Sequence, residues 1–134
     1  TSRIVTHLMA NELTISASIQ YDKSNHQLTF TPDTQNVTVA GVEAVGGVQA
    51  VTTGSHETLV MNEMTVGNQG HAWFRNIGTS ADASIQLGIV VSGTFHDVLE
   101  LKGGEFAITR LAGEQIYAKA VGSNGHIQYQ ILED

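Results

Sequence analysis

Six histidines are the side chains of this sequence best suited to metal binding or acid–base catalysis, because imidazole titrates near neutral pH and binds transition metals. A zinc site usually takes two of its ligands from positions one to five residues apart. In His56-Glu57 and His96-Asp97 the neighbouring side chains would point to opposite faces of a strand. The spacing therefore predicts no metal site and no metal cofactor. The six are His7, His26, His56, His71, His96 and His126.

Two short segments bring a hydroxyl, an imidazole and a carboxylate together, as nucleophilic catalysis would require. They are residues 54–56, which Glu57 follows, and residues 92–97. Neither contains the Gly-x-Ser-x-Gly elbow of hydrolases, and neighbours in sequence do not by themselves converge into a triad. Nothing selects a catalytic pair among the 13 acidic residues either. We interpret both segments as polar strand ends, and we expect no catalytic residue, no cofactor and no enzymatic activity.

The glycine-rich segment 41–47 is a further candidate, since glycine-rich loops can hold phosphate groups. Such a loop ends in Lys-Ser or Lys-Thr and opens a helix, and this segment does neither. The pattern indicates β structure in which Gly46-Gly47 forms a tight turn or a bulge.

The composition limits the class of protein further. With a formal net charge of −7 and no cluster of Lys or Arg, the chain is not expected to bind nucleic acid. No apolar run approaches the ~20 residues of a membrane-spanning helix, so we expect a soluble protein that does not bind membranes. The absence of cysteine excludes disulfides. Only 14% of the residues are charged, against about a quarter on average. Such a surface is expected where much of the exterior lies against other subunits, although a plain β-sandwich can have the same composition.

Alternation of apolar and polar residues is the clearest structural signal. From residue 13 to residue 21 the odd positions are apolar and the even positions polar, which predicts a strand with one face on a core and the other in water. A turn at residues 23–26 and a second alternating run before Pro32 extend this to a β-hairpin over residues 12–31.

Strand and turn signals continue along the chain at a spacing of about 8–12 residues, as in β-sandwiches. Asn124-Gly125 favours a two-residue hairpin turn between the last two strands. The sequence predicts an all-β fold: a single-domain antiparallel β-sandwich or jelly roll with 8–10 strands over residues 11–134, preceded by a short N-terminal arm over residues 1–10.

A succession of short motifs in the second half of the chain resembles small virion structural proteins of tailed bacteriophages. Each motif is a plausible strand or turn, and their order carries the resemblance. The motifs are Trp73-Phe74-Arg75-Asn76, Leu101-Lys102-Gly103-Gly104-Glu105-Phe106-Ala107, Arg110-Leu111, Tyr117-Ala118-Lys119-Ala120 and Tyr129-Gln130-Ile131-Leu132-Glu133.

The resemblance implies a structural component of a virion, made in the cytoplasm of a bacterial host. It implies a turn at residues 102–105, with Phe106 and Ile108 in the core and Tyr117 packed beneath them. The partners would be the major capsid protein or other virion proteins, and further copies of the chain in a homo-oligomer. The leading hypothesis is a capsid decoration, or cement, protein. The alternatives are a tail- or fibre-associated structural protein and a carbohydrate-binding module with aromatic side chains around Trp73.

The N-terminal arm is the one segment for which the sequence suggests a contact role. Its apolar residues Ile4, Val5, Leu8 and Met9 lie close together and could bind a neighbouring subunit or cap the domain's own core. Strand edges between residues 37 and 51 carry almost no charge that would block the addition of another strand. These features predict a protein that binds other protein surfaces.

Overall fold

A computed structural model describes residues 11–62, 64–79 and 83–134, and in these residues it contains twelve strands and no helix. The described residues divide into two compact units, one that ends at Ala40 and one that begins at Gly41. The all-β antiparallel prediction is confirmed, with more strands than the predicted 8–10. No helix in the described part of the chain has the length and apolar character needed to cross a membrane. The division into an arm over residues 1–10 and a domain over residues 11–134 stays a prediction.

The first unit contains two small antiparallel sheets. Strands β1 (Leu13–Ile15) and β4 (Gln35–Val37) form one, and β2 (Ile19–Lys23) and β3 (His26–Phe30) form the other. The β2–β3 hairpin turns at Ser24, which has a φ of 55°. The predicted hairpin is confirmed, but the predicted strand over residues 13–21 is interrupted at residues 16–18, so β1 pairs with β4 instead.

The second unit is a sandwich of two four-stranded antiparallel sheets. The first sheet has the order β10-β7-β12-β5 and the second the order β6-β11-β8-β9. With the eight strands numbered along the unit, the sheets are 6-3-8-1 and 2-7-4-5, which is the strand order of a jelly roll. The strands are β5 (Ala44–Val51), β6 (Glu57–Thr58), β7 (Gln69–Asn76), β8 (Ser84–Val91), β9 (Thr94–Lys102), β10 (Phe106–Arg110), β11 (Tyr117–Val121) and β12 (Gly125–Glu133).

The core of the second unit lies between its two sheets, where alternate residues of each strand point inward. Burial of these side chains is the main stabilising contribution in a chain without disulfides. The buried apolar residues are Val45, Val51, Leu59, Met61, Met64, Ala72, Phe74, Ile85, Leu87, Leu101, Ala118, Ala120, Ile127, Tyr129 and Ile131.

Buried amide side chains tie the loops of the second unit to its sheets. The Gln69 amide nitrogen donates to the carbonyl oxygens of Ala112 at 3.1 Å and Glu114 at 2.6 Å, and its oxygen accepts the Gly67 N–H at 2.7 Å. One uncharged side chain thus satisfies three backbone groups of two loops, which would otherwise be costly to bury. These hydrogen bonds hold the two loops in place in a chain that has no cysteine to form disulfides.

Two local predictions about turns are wrong. Gly46 and Gly47 lie inside the continuous strand β5, and a Cβ on Gly46 would overlap the Tyr129 carbonyl oxygen and the Gln130 side chain. The glycine is needed for close packing, which sequence alone does not distinguish from a turn. The Asn124-Gly125 segment joins β11 to β12, which belong to different sheets, so it makes a crossing between sheets and no hairpin.

Candidate binding surfaces

The outer face of the first sheet carries a cluster of three large apolar side chains and one arginine, which we call the Trp73 patch: the half-buried Trp73 and the exposed Arg75, Phe106 and Ile108. Cross-strand pairing sets Phe106 opposite Arg75 and Ile108 opposite Trp73. Phe106 is 62% exposed and Ile108 is 42% exposed. Because Ala72 and Phe74 of the same strand point into the core, Trp73 and Arg75 must point outward. The patch therefore combines aromatic and arginine side chains, which are enriched in protein–protein interfaces, with the aliphatic side chain of Ile108.

The resemblance implied that Phe106 and Ile108 lie in the core, and this placement is wrong because both side chains are exposed. The inward positions of β10 belong to Ala107 and Thr109. A signal for this was present in the sequence, because Arg110 shares the alternation of Phe106 and Ile108 and an arginine is rarely fully buried. Tyr117 does not lie beneath them either: its ring packs edge-on against His56 at a centroid distance of 5.5 Å.

A second exposed apolar surface lies on the β2–β3 hairpin, and we call it the hairpin face: Ile19, Tyr21, Leu28 and Phe30. The register pairs Ile19 with Phe30 and Tyr21 with Leu28, so all four side chains share one face. They are between 45% and 59% exposed. The prediction that one face of this segment is buried on a core is therefore wrong. Lys23 and His26, which form the next pair on the same face, are the residues that signal its exposure.

A charged cluster lies at one end of the first sheet. Arg110 donates from Nη1 to Oδ2 of Asp134 at 2.8 Å, and it is paired in register with the buried residue His71. Desolvation by burial lowers the pKa of His71 from its ordinary value, the Arg110 charge lowers it further, and the Asp134 carboxylate opposes both effects. Burial beside the exposed Arg110–Asp134 ion pair therefore disfavours the protonated form of His71.

The lowered pKa of His71 makes the second unit sensitive to acid. As the pH falls below about 6.5, the unfolded chain takes up a proton that the folded chain resists, so folding stability is lost as the pH approaches the lowered folded-state pKa. Between pH 7 and pH 5 we expect the unfolding free energy of the wild type to fall more steeply than that of His71→Gln. Urea titrations followed by Trp73 fluorescence would measure both slopes; equal slopes would contradict the assignment.

The remaining histidines of the described residues do not form a metal site. The described part of the chain contains no group of three or more His, Cys, Asp or Glu residues that could hold a metal ion. The His56 ring stacks on Phe95 at 5.9 Å with an interplanar angle of 11°. Ser92 and Gly93 form the turn between β8 and β9, as expected of polar residues at a strand end.

The arm residues predicted to make contacts, Ile4, Val5, Leu8 and Met9, lie outside the described residues, and their role stays a prediction. A carbohydrate-binding face around Trp73 would need exposed aromatic side chains, but Phe74 and Tyr129 are core residues. Burial raises the pKa of Tyr129, whose hydroxyl donates to the Val60 carbonyl oxygen at 2.7 Å. Trp73 remains on the outer face of the sheet.

Comparison with known proteins finds little similarity. No protein-family model and no curated protein matches the chain. Among solved structures, one similar chain comes from Bacillus endospore appendages, described as a novel family of disulfide-linked pili. It shares 12% sequence identity, with a TM-score of 0.45 over 68% of this chain and 84% of that one. Both values are too low to assign a family or a function.

Proposed function

We propose that this protein is a non-enzymatic virion structural protein, most specifically a capsid decoration (cement) protein that binds and reinforces a phage head. The observation that carries the binding role is the hairpin face, where four large apolar side chains share an exposed surface. An isolated two-stranded hairpin is only marginally stable in water. A partner surface that covers this face would stabilise both the hairpin and the complex.

The expected strength of such a contact is modest. Full burial of one large apolar side chain contributes about 1.5–3 kcal/mol, so covering the exposed half of four side chains contributes roughly 4 kcal/mol before the cost of association. A single copy would therefore bind weakly. Repeated copies on a regular shell, linked to one another as a homo-oligomer, would gain avidity from many such contacts. The low affinity expected of a single copy favours a protein that works in a multi-copy assembly.

Support for a virion comes from the motifs between residues 72 and 134, which resemble tailed-phage structural proteins. The jelly roll is compatible with this role, since viral capsid domains use it, but lectins and cupins use it as well. The fold therefore supports the binding role only in general terms. The head is proposed over the tail because the weak contacts estimated above require many copies.

Cosedimentation with phage heads that lack the protein tests the proposal directly. We expect saturable binding at hundreds of copies per particle, quantified on gels, and increased resistance of the heads to heat. Binding to tail tubes or fibres and not to heads would replace the decoration role with the tail-associated one. Retention on a glycan array without binding to either particle would contradict a virion role and support the carbohydrate-binding alternative.

The hairpin face yields a prediction with a matched control. Phe30→Lys places a charge in the proposed contact, and we expect it to reduce head binding at least tenfold. Thr29→Lys adds the same charge to the same strand, but on the opposite face, and should leave binding unchanged. Both side chains are exposed, so both variants should keep the wild-type circular dichroism and melting temperature. Equal binding by the two variants would show that the hairpin face is not the contact.

A further inference from the structure

The strand β10 forms an open edge of the first sheet, and its hydrogen-bonding pattern can be determined from its two ends. The Asn76 N–H donates to the Glu105 carbonyl oxygen at 3.0 Å, and the Leu111 N–H donates to the Gly70 carbonyl oxygen at 2.9 Å. Hydrogen-bonded pairs alternate in an antiparallel ladder, so the odd-numbered residues of β10 bond to β7. The backbone N–H and C=O groups of Phe106, Ile108 and Arg110 consequently face away from β7.

No described strand pairs with this outer side of β10. The segment carries no proline and no lysine, the residues that usually block strand addition at an edge. Its one charged side chain, Arg110, is bound to Asp134. A row of outward-facing backbone groups is satisfied best by an extended peptide, because a strand matches its spacing.

The space on the inner side of this edge is an apolar cleft between the two sheets. Its volume is about 190 Å³, and it lies between β10 and the edge strand β9. An engineered apolar cavity of about 150 Å³ accepts a molecule of benzene. The cleft can therefore take one large aliphatic side chain. Apolar lining residues include Phe74, Leu87, Val98, Leu99, Leu111 and Ile116.

The outer side of the same edge is apolar as well, because Phe106 and Ile108 of the Trp73 patch are exposed there. A strand added beside β10 would direct alternate side chains to the two sides. One set would face the inner side, where one of its side chains could enter the cleft, and the other set would lie against Phe106 and Ile108. The open edge of β10 is therefore suited to a segment that has large apolar side chains on both faces of the strand. This pattern is unusual for a strand at the surface.

The N-terminal segment of this chain has that pattern. Ile4 and Leu8 fall on one alternation, and Val5 and Met9 fall on the other. Ten extended residues span up to about 33 Å, which exceeds the length of the five-residue strand β10. In each alternation the two apolar residues are four positions apart, so both fit along such a strand.

We propose that residues 1–10 of a second copy add as a strand to the open edge of β10, with one apolar side chain of one alternation in the cleft and the apolar pair of the other alternation against Phe106 and Ile108. This inference deepens the proposed function, since it supplies the contact between copies of the homo-oligomer. It also assigns the arm residues a binding surface, the open edge of β10 on another copy. The contact joins two different surfaces, so it is heterologous and builds a ring or a chain of copies.

The absence of native cysteine allows a direct cross-linking test. Full-length chains carrying Thr6→Cys or His7→Cys, which sample both alternations, are mixed with differently tagged full-length chains carrying Phe106→Cys or Ile108→Cys. We expect a disulfide-linked heterodimer for at least one combination, at ten times or more the yield obtained with Val48→Cys on the opposite edge strand β5. No heterodimer above that control would overturn the proposal. A double-cysteine chain that closes only on itself would overturn it too, because the arm would then bind within its own copy.

The solution oligomer provides a second measurement, with a matched pair of proline variants. The N–H of Ile108 faces the open edge of β10. The Glu133 N–H donates to the Glu43 carbonyl oxygen, so the odd-numbered residues of β5 bond to β12. The N–H of Val48, an even-numbered residue, therefore faces the open edge of β5. Neither substitution removes a bond within the sheet.

We expect Ile108→Pro to weaken self-association at least tenfold in analytical ultracentrifugation. Val48→Pro, which alters the other open edge of the sheet, within the weakly charged segment 37–51, should leave self-association unchanged if the arm adds to β10. Equal effects of the two substitutions would overturn the proposal. If Ile108→Pro fails to fold, the cross-linking result decides alone. Cosedimentation with heads reports the proposed function separately, so copies that cross-link but do not bind heads would refute only the virion role.

Discussion

Replacing Asn76 with alanine lowers the free energy of unfolding of the second unit by about 3 kcal/mol, the expected cost of leaving several buried backbone groups without partners. The Asn76 side chain is 2% exposed. Its amide nitrogen donates to the carbonyl oxygens of Leu101 at 2.9 Å and Ala83 at 3.2 Å, and its oxygen accepts the Gly78 N–H at 3.0 Å. One side chain thus connects the end of β7 to the end of β9 and to the segment that precedes β8.

Urea denaturation followed by the fluorescence of Trp73, the single tryptophan, measures this loss in the unit that contains Asn76. Asn76→Asp should be at least as destabilising, since a carboxylate keeps the shape but cannot donate to two carbonyl oxygens. Asn124→Ala is the matched control: that side chain is exposed and accepts one bond, from the Thr53 N–H at 3.0 Å, so its loss should cost less than about 1 kcal/mol. A similar small effect for Asn76→Ala would show that water replaces the lost bonds.

Gly88→Ala is the second substitution for which we expect a large effect, a destabilisation of roughly 3 kcal/mol from overpacking. A Cβ on Gly88 would overlap the backbone carbonyl oxygen of His96, and backbone cannot move aside as a flexible side chain can. The pairing of β8 with β9 changes register between Leu87 and Gly88, so the close approach occurs at this irregularity. The added methyl group should push β9 away from β8.

Gly54→Ala provides the control for Gly88→Ala. No atom lies within 4 Å of a Cβ built on Gly54, and the residue does not have a positive φ. We expect a neutral effect or a gain of about 0.5 kcal/mol, because alanine restricts the unfolded chain. Thermal melts of both variants, recorded with the wild type, test the contrast. Equal melting temperatures for the two variants would contradict the proposed overlap at Gly88.

Alternation in the sequence was sufficient to predict an all-β antiparallel fold, because it depends only on the period of the strand. Alternation alone was not sufficient to decide which of the two faces of a strand points to the core when both faces carry apolar residues. In β10 the small residue Ala107 points inward and the larger Phe106 points outward, the reverse of what hydrophobicity alone suggests. Arg75 and Arg110 carried the information that was needed, since arginine on one alternation marks that face as exposed.

Strand partners were less predictable than strands. Turn signals at residues 102–105 and at Asn124-Gly125 were correctly placed, yet each joins strands of different sheets. A tight turn sets the local direction of the chain, whereas the choice of sheet depends on packing between residues far apart in sequence. The cleft beside β10 depends on the same long-range packing, so it emerged only from the structure.

The position of β12 in the middle of the first sheet affects how the protein is made. This strand pairs with β5 on one side and with β7 on the other. While the ribosome is still synthesising the preceding residues, β5 and β7 have no strand between them, and only the β8–β9 hairpin can form between consecutive strands of the second unit. Such a topology has high contact order and folds slowly. We expect nascent chains that lack Gly125–Glu133 to remain protease-sensitive and to require chaperones, which would delay assembly until translation has passed this strand.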